Sequence, residues 1–229
     1  MKLRTIHYFT AAAFLSFSFG VLRGAERFDH EVRNDVFAGF TGDQEAMVRA
    51  LKKLDETLAT NPKHAEALVW RGSALFFQSG QFMQTGNFEK GMPLYQRGLA
   101  EMEQAGQLEP DNIGVLAPRG AVLLAAGINS RGNPQAKMLI EKGIADYEKI
   151  LYLQKTYWDR IGTHPKGELL QGLANGYRVL GQKEKADAFF ERIQQELPNS
   201  PYAKRAALYF EKGTLTPAQT TCIGCHTGK

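Results

Sequence analysis

Between Gly167 and Ser200 the apolar residues fall on two short helical periods separated by a glycine, a pattern that a hairpin of two helices satisfies and a strand does not. Leu170, Leu173, Ala174 and Tyr177 share one face of a first helix. Gly181 ends it, and Ala186, Phe190 and Ile193 line a second helix that Pro198 stops. Small Ala174 and Ala186 let the two antiparallel helices approach closely, while Tyr177 and Phe190 fill the space between one pair and the next. A hairpin of this size cannot bury both of its faces alone. The pattern therefore predicts further pairs stacked beside it.

That spacing resembles the tetratricopeptide repeat family, departing only at Leu170, where tryptophan is commonest, and at Ile193, where alanine is. Weaker copies precede it. A first, over residues 29 to 62, carries Ala50 and Leu54 at the expected offsets before Pro62. A second uses Leu68, Gly72 and Leu75, then opens a long helix at Asn87 in which Gly91, Tyr95 and Gly98 take small, large and small places, closing at Pro110. A third begins near Asn112, passes Gly120 and Leu124, breaks between Asn129 and Pro134, and continues from Gln135 to about Leu153. Ser200 and Pro201 read as an N-cap followed by proline at the first helical position, starting a last helix to about Glu211 that caps the stack. The resemblance implies an all-α fold, a TPR-like α-α superhelix or solenoid over residues 21–212, whose groove docks a protein partner.

Beyond Gly213 the periodicity stops. Residues 213–229 form a tail rich in threonine and turn formers, and within it stands Cys222-Ile223-Gly224-Cys225-His226. The chain's two cysteines are both in this pentapeptide, which is the attachment signature of c-type haem. Two thiols one helical turn apart add across the two vinyl groups of one porphyrin and leave the neighbouring imidazole facing the iron. Cys222 and Cys225 are thus the expected sites of covalent haem c, and His226 the expected proximal iron ligand. The motif also resembles that of the small c-type cytochromes, but those wrap the porphyrin in sequence that follows the motif. Here Thr227, Gly228 and Lys229 follow, so the ordinary cytochrome c fold is not expected and the distal ligand is expected from the body or from a partner.

Among common haem ligands the body offers His30, His64, His164 and the methionines at 47, 83, 92, 102 and 138. His164 is the candidate distal ligand; its other reading is a histidine before Pro165 at a helix start. It precedes the far end of the helix beside the cap, so the tail has to double back by roughly 25 Å, within reach of nine extended residues. His64 reads as surface structure at a repeat junction, the methionines mostly as core filler, and Trp70, Trp158, Tyr152 and Tyr157 as packing between helices.

At the other end, Lys2 and Arg4 precede an apolar run from Tyr8 to Phe19, with small residues at Ser18 and Gly20. Residues 1–20 thus read as a secretory signal peptide. The run is shorter than the roughly twenty residues a membrane span requires, and no later stretch approaches that length. Export agrees with the haem motif, because covalent attachment takes place outside the cytoplasmic membrane. The expected location is periplasmic or otherwise exported, with no integral membrane segment after cleavage; an uncleaved N-terminal anchor is the alternative. The body is ordinary globular material, 43% hydrophobic and 23% charged. Its formal charge of +4 loses two units with Lys2 and Arg4, too little to argue for nucleic acid.

These features together point to an exported c-type haem protein that passes single electrons, docked through its repeats to a protein partner such as a redox protein. Two other classes stand beside it. One is a repeat scaffold without redox role, whose cysteines stay reduced or form a disulfide. The other is a haem enzyme such as a peroxidase, although no distal His/Arg pair is readable. A thioredoxin-like dithiol lacks its β-α-β context, and Cys222, Cys225 and His226 are three crowded ligands for zinc.

Overall fold

The computed structural model of the protein describes residues 27–130 and 133–213. The described residues form nine α-helices and a one-turn 3-10 helix at Trp158–Arg160, with no strand among them, so the chain is all-α. Successive helices pair: α1 (Asp29–Phe40) with α2 (Gln44–Thr60), α3 (Ala65–Gln84) with α4 (Phe88–Leu108), α5 (Ile113–Asn129) with α6 (Ala136–Gln154), and α7 (Thr163–Val179) with α8 (Lys183–Glu196). The last helix, α9 (Pro201–Lys212), packs on α8.

Polar residues open the helices by capping free backbone N–H groups. The side chains of Asp43, Asn87 and Ser200 accept from the N–H of Ala46, Lys90 and Ala203 at 2.9, 3.2 and 3.1 Å. Asn112 accepts from Gly114 at 2.7 Å. The turns within the first, second and fourth pairs each contain one glycine in the left-handed region, Gly42, Gly86 and Gly181, where other residues are strained. The second pair is longer than the fourth: α3 and α4 run 20 and 21 residues against 17 and 14 in α7 and α8. Extra helical turns thus make the pair over residues 65 to 108 longer than the pair over residues 163 to 196.

Where paired helices cross, side chains vanish. A Cβ on Gly98 would lie 2.7 Å from the Gly72 carbonyl oxygen and 2.8 Å from the Phe76 nitrogen, and one on Gly143 3.0 Å from the Gly120 oxygen. Ala174 and Ala186, the corresponding small residues of the fourth pair, are fully buried. Gly98→Ala is therefore expected to cost about 1–3 kcal/mol by pushing α4 off α3. Gly80→Ala, on the same pair but with no atom within 4 Å of its Cβ, should instead gain about 0.5–1 kcal/mol from helix propensity. Urea melts that shift the same way for both variants would contradict this crossing.

The first helices of successive pairs lie side by side and point the same way. Asn112 at the start of α5 donates to Glu66 at the start of α3 (3.1 Å), and the rings of Phe37 and Phe40 in α1 meet Trp70 and Phe77 in α3 at 6.0 and 4.4 Å. Leu124, late in α5, meets the line of Gly172 and Gly176 in α7. Between α7 and α9 the contacts also advance in step: His164 with Tyr202, Gln171 with Arg205. The apolar core runs through the whole stack, one part centred on α1 to α5 and the other on α5 to α9.

Candidate functional site

Cys222, Cys225 and His226 lie outside the described residues, as do the signal residues 1–20 and the tail from Thr214 onward. What the structure places is the ground from which that tail departs. Ser200 and Pro201 start α9 as expected. Tyr202, Ala206 and Tyr209 are buried on its inner side, and Gly213 closes it in the left-handed conformation. Phe190 of α8 is fully buried and stacks on Tyr209 with ring centroids 4.2 Å apart. The tail therefore leaves a helix that is firmly seated.

His164, the expected distal ligand, is the second residue of α7, in a first turn that Gly162 and Pro165 shape. Its side chain is half exposed, with Nδ1 2.8 Å from the Tyr202 hydroxyl oxygen and Nε2 3.6 Å from a Glu168 carboxylate oxygen. Both ring nitrogens thus face partners. Because α7 and α9 are parallel, His164 sits beside the start of α9, and the tail leaves from its other end. The gap along α9, from Tyr202 to Gly213, is about 16 Å at 1.5 Å per residue. That is shorter than the roughly 25 Å read from the sequence, yet it still requires reversal of the chain.

The other histidines have local roles. His64 caps α3, its Nδ1 accepting from the Ala67 N–H at 3.2 Å while its ring lies 4.5 Å from that of Phe28. His30 is exposed near Asp29. Of the methionines, Met47 and Met102 are core residues, but Met92 and Met138 are 42% and 41% exposed, which corrects the reading of the set as mostly filler. Trp158 is buried, donates from Nε1 to Glu196 at 2.6 Å, and is flanked by Lys166 and Arg192. Among the described residues no group of three or more His, Cys, Asp or Glu side chains is placed to hold a metal ion.

Sequence reasoning did not single out the groove formed by the C-terminal halves of α1, α3 and α5. It has a volume of about 430 Å³, within the ordinary range for a small-ligand site. Phe37, Phe40, Phe77 and Tyr95 wall it, Gly80 and Ala125 leave room between them, and Met83 reaches it from the end of α3. None of its lining residues carries a charge. Tyr95 packs against Phe76 at 5.2 Å and donates to Gln135 at 2.5 Å; burial pushes its hydroxyl pKa up, which keeps the proton on the donor. The signal available in the sequence was the adjacent aromatic pair Phe76 and Phe77, which places rings on two faces of a helix that needs only one for its partner.

A neighbouring cleft of about 650 Å³ lies between the α5–α6 connection and the end of α7 and adjoins the groove at Asn133. Its chemistry differs, since Lys137, Glu141 and Arg178 line it.

No helix among the described residues is long and apolar enough to cross a membrane. No family model, curated protein or solved structure matches the chain.

Proposed function

We propose that this chain is an exported c-type haem protein whose helical body is a TPR-like superhelix that positions the haem and docks a protein partner. One observation carries the reading: both cysteines stand in Cys222-Ile223-Gly224-Cys225-His226, beyond the end of a body whose core closes without them. The pairing of helices, the parallel first helices and the small residues at each crossing support the superhelix. In this reading haem c, bound through Cys222 and Cys225 with His226 on the iron, supplies a one-electron centre. The helical body would present the surface on which a redox partner docks. Periplasmic or similar export goes with the N-terminal signal.

The test is expression of the full chain in a host with haem-maturation machinery, followed by acid–acetone extraction. Covalent haem keeps its colour in the protein fraction. Cys222→Ala with Cys225→Ala is expected to remove all of that colour while leaving helical circular dichroism and the urea midpoint of the body unchanged. Deletion of residues 2 to 20 should give a colourless cytoplasmic product. A colourless exported wild type would leave a repeat scaffold as the better description.

A further inference from the structure

We propose that the groove between α3 and α5 is a binding site for an uncharged aromatic small molecule that carries a hydroxyl or carbonyl group at one end. The site goes beyond the function proposed above and does not depend on haem. The first observation is Gly80. Every other glycine inside a described helix has an atom closer than 3.0 Å to the place its Cβ would take, so a neighbour that leaves no room explains each of them. Gly80 has no such atom within 4 Å, although glycine in a helix interior is destabilising relative to alanine. What its missing side chain leaves is space, and that space belongs to the groove.

From the other helix, α5 contributes Ala121 and Ala125, one turn apart, so neither wall closes a gap that larger side chains would fill. Rings stand around this slot: Phe40 and Phe77 with centroids 4.4 Å apart and planes at 37°, Phe76 and Tyr95 at 5.2 Å and 36°. Tilted pairs of this kind offer both faces and edges to a flat guest, and offset or edge-on contact between aromatic rings is favourable beyond the burial that an aliphatic chain would gain.

Polarity is graded along the groove. Phe76, Ala121 and Val122 belong to the middle of their helices, whereas Gln84 ends α3, Asn129 ends α5 and Ser130 follows it. Because α3 and α5 run side by side in the same direction, these neutral donors and acceptors gather at one end. A ligand with an apolar ring body and a neutral polar group at one end matches that gradient. A carboxylate or an ammonium does not, since no lining residue carries an opposite charge to offset the hydration it would lose. Charge is provided for next door, in the cleft lined by Lys137, Glu141 and Arg178.

The experiment is calorimetric titration of the full chain with 2-naphthol, which has the stated chemistry, and with 2-naphthoate, the same rings bearing a carboxylate. Wild type should bind 2-naphthol saturably, and 2-naphthoate at least about tenfold more weakly. Nuclear Overhauser contacts between bound 2-naphthol and the Ala125 methyl group locate the site without any substitution. Gly80→Leu and, from the other helix, Ala125→Leu each put a side chain into the slot and should weaken 2-naphthol at least about tenfold. Lys137→Gln, in the neighbouring cleft, should match wild type. Urea midpoints verify that the variants fold, and either leucine variant that folds decides. No saturable binding of 2-naphthol, equal binding of 2-naphthoate, no contact with Ala125, or unchanged affinity in a folded leucine variant overturns the inference, and so does a loss in Lys137→Gln. Sedimentation tests the other occupant: a wild-type dimer that Gly80→Leu dissociates means that a second copy fills the groove, which overturns it as well. Covalent haem is read separately by acid–acetone extraction, and none of these outcomes bears on it.

Discussion

Phe190→Ala should lower the stability of the body by about 3–5 kcal/mol, the usual cost of removing a fully enclosed ring. Phe190 sits between α8 and α9, stacked on Tyr209 and edge-on to Phe210, and α9 has no later described helix to hold it in place. A cavity there cannot be closed cheaply, because Tyr209 is also held by the bond that its hydroxyl donates to Asp187 at 2.9 Å. Tyr177→Ala should fall in the same range, since that ring is buried and stacks on Phe189. Lys183→Ala, on an exposed side chain, should leave the melt unchanged. Lys185→Ala should cost about 0.5–1 kcal/mol, because its ammonium lies over the Tyr177 ring at 4.7 Å. Urea melts separate these cases, and a lysine variant that melts before both aromatic variants would contradict the register.

How far this architecture was readable from sequence depended on whether a residue's role is local. The hairpin of residues 167 to 200 was readable because its small and large positions repeat at helical spacing, and Ala174, Ala186, Phe190 and Ile193 are indeed fully buried. Gly72 and Gly98 were readable as small positions, but the backbone contact between them arises only when α3 meets α4. His164 was readable as a helix start. Its pairing with Tyr202 depends on α7 and α9 lying side by side, a contact 38 residues apart in sequence. The groove stayed hidden for the same reason: Phe37, Phe77 and Ala125 each look like packing residues until three separate pairs set their first helices in one layer. The haem motif was read from spacing alone, and it remains outside the described residues.

A second repeated feature was missed altogether and carries the other large effect. An Arg-Gly dipeptide recurs at Arg71-Gly72 and Arg119-Gly120, in corresponding places on α3 and α5. Each arginine ties its helix to both neighbours. Arg71 donates to Asp55 of α2 at 2.8 Å and twice to Glu101 of α4 at 2.9 Å; Arg119 donates to Met102 of α4 at 3.3 Å and twice to Asp146 of α6 at 2.8 and 2.6 Å. Gly106 makes room for the second, since a Cβ there would lie 1.7 Å from Arg119 Nη1. Arg119→Met is expected to cost about 3–5 kcal/mol near neutral pH, because it strands a buried carboxylate. Burial already holds the Asp146 carboxyl above its ordinary pKa despite the opposing pull of Arg119, and without the guanidinium the pKa rises further. A carboxyl whose folded pKa exceeds its unfolded value adds no penalty below the unfolded pKa, and the penalty grows as pH rises toward the folded one. The deficit of Arg119→Met should therefore shrink as pH is lowered through the carboxylate range, the reverse of ordinary acid denaturation. Adding Asp146→Leu should restore most of the loss, since an apolar pair replaces an ionic pair at little net cost. Urea midpoints of the single and double variants between acid and neutral pH measure both effects. A deficit that is constant with pH and not rescued by Asp146→Leu would mean that Arg119 acts by filling space against Gly106, and not by neutralising Asp146.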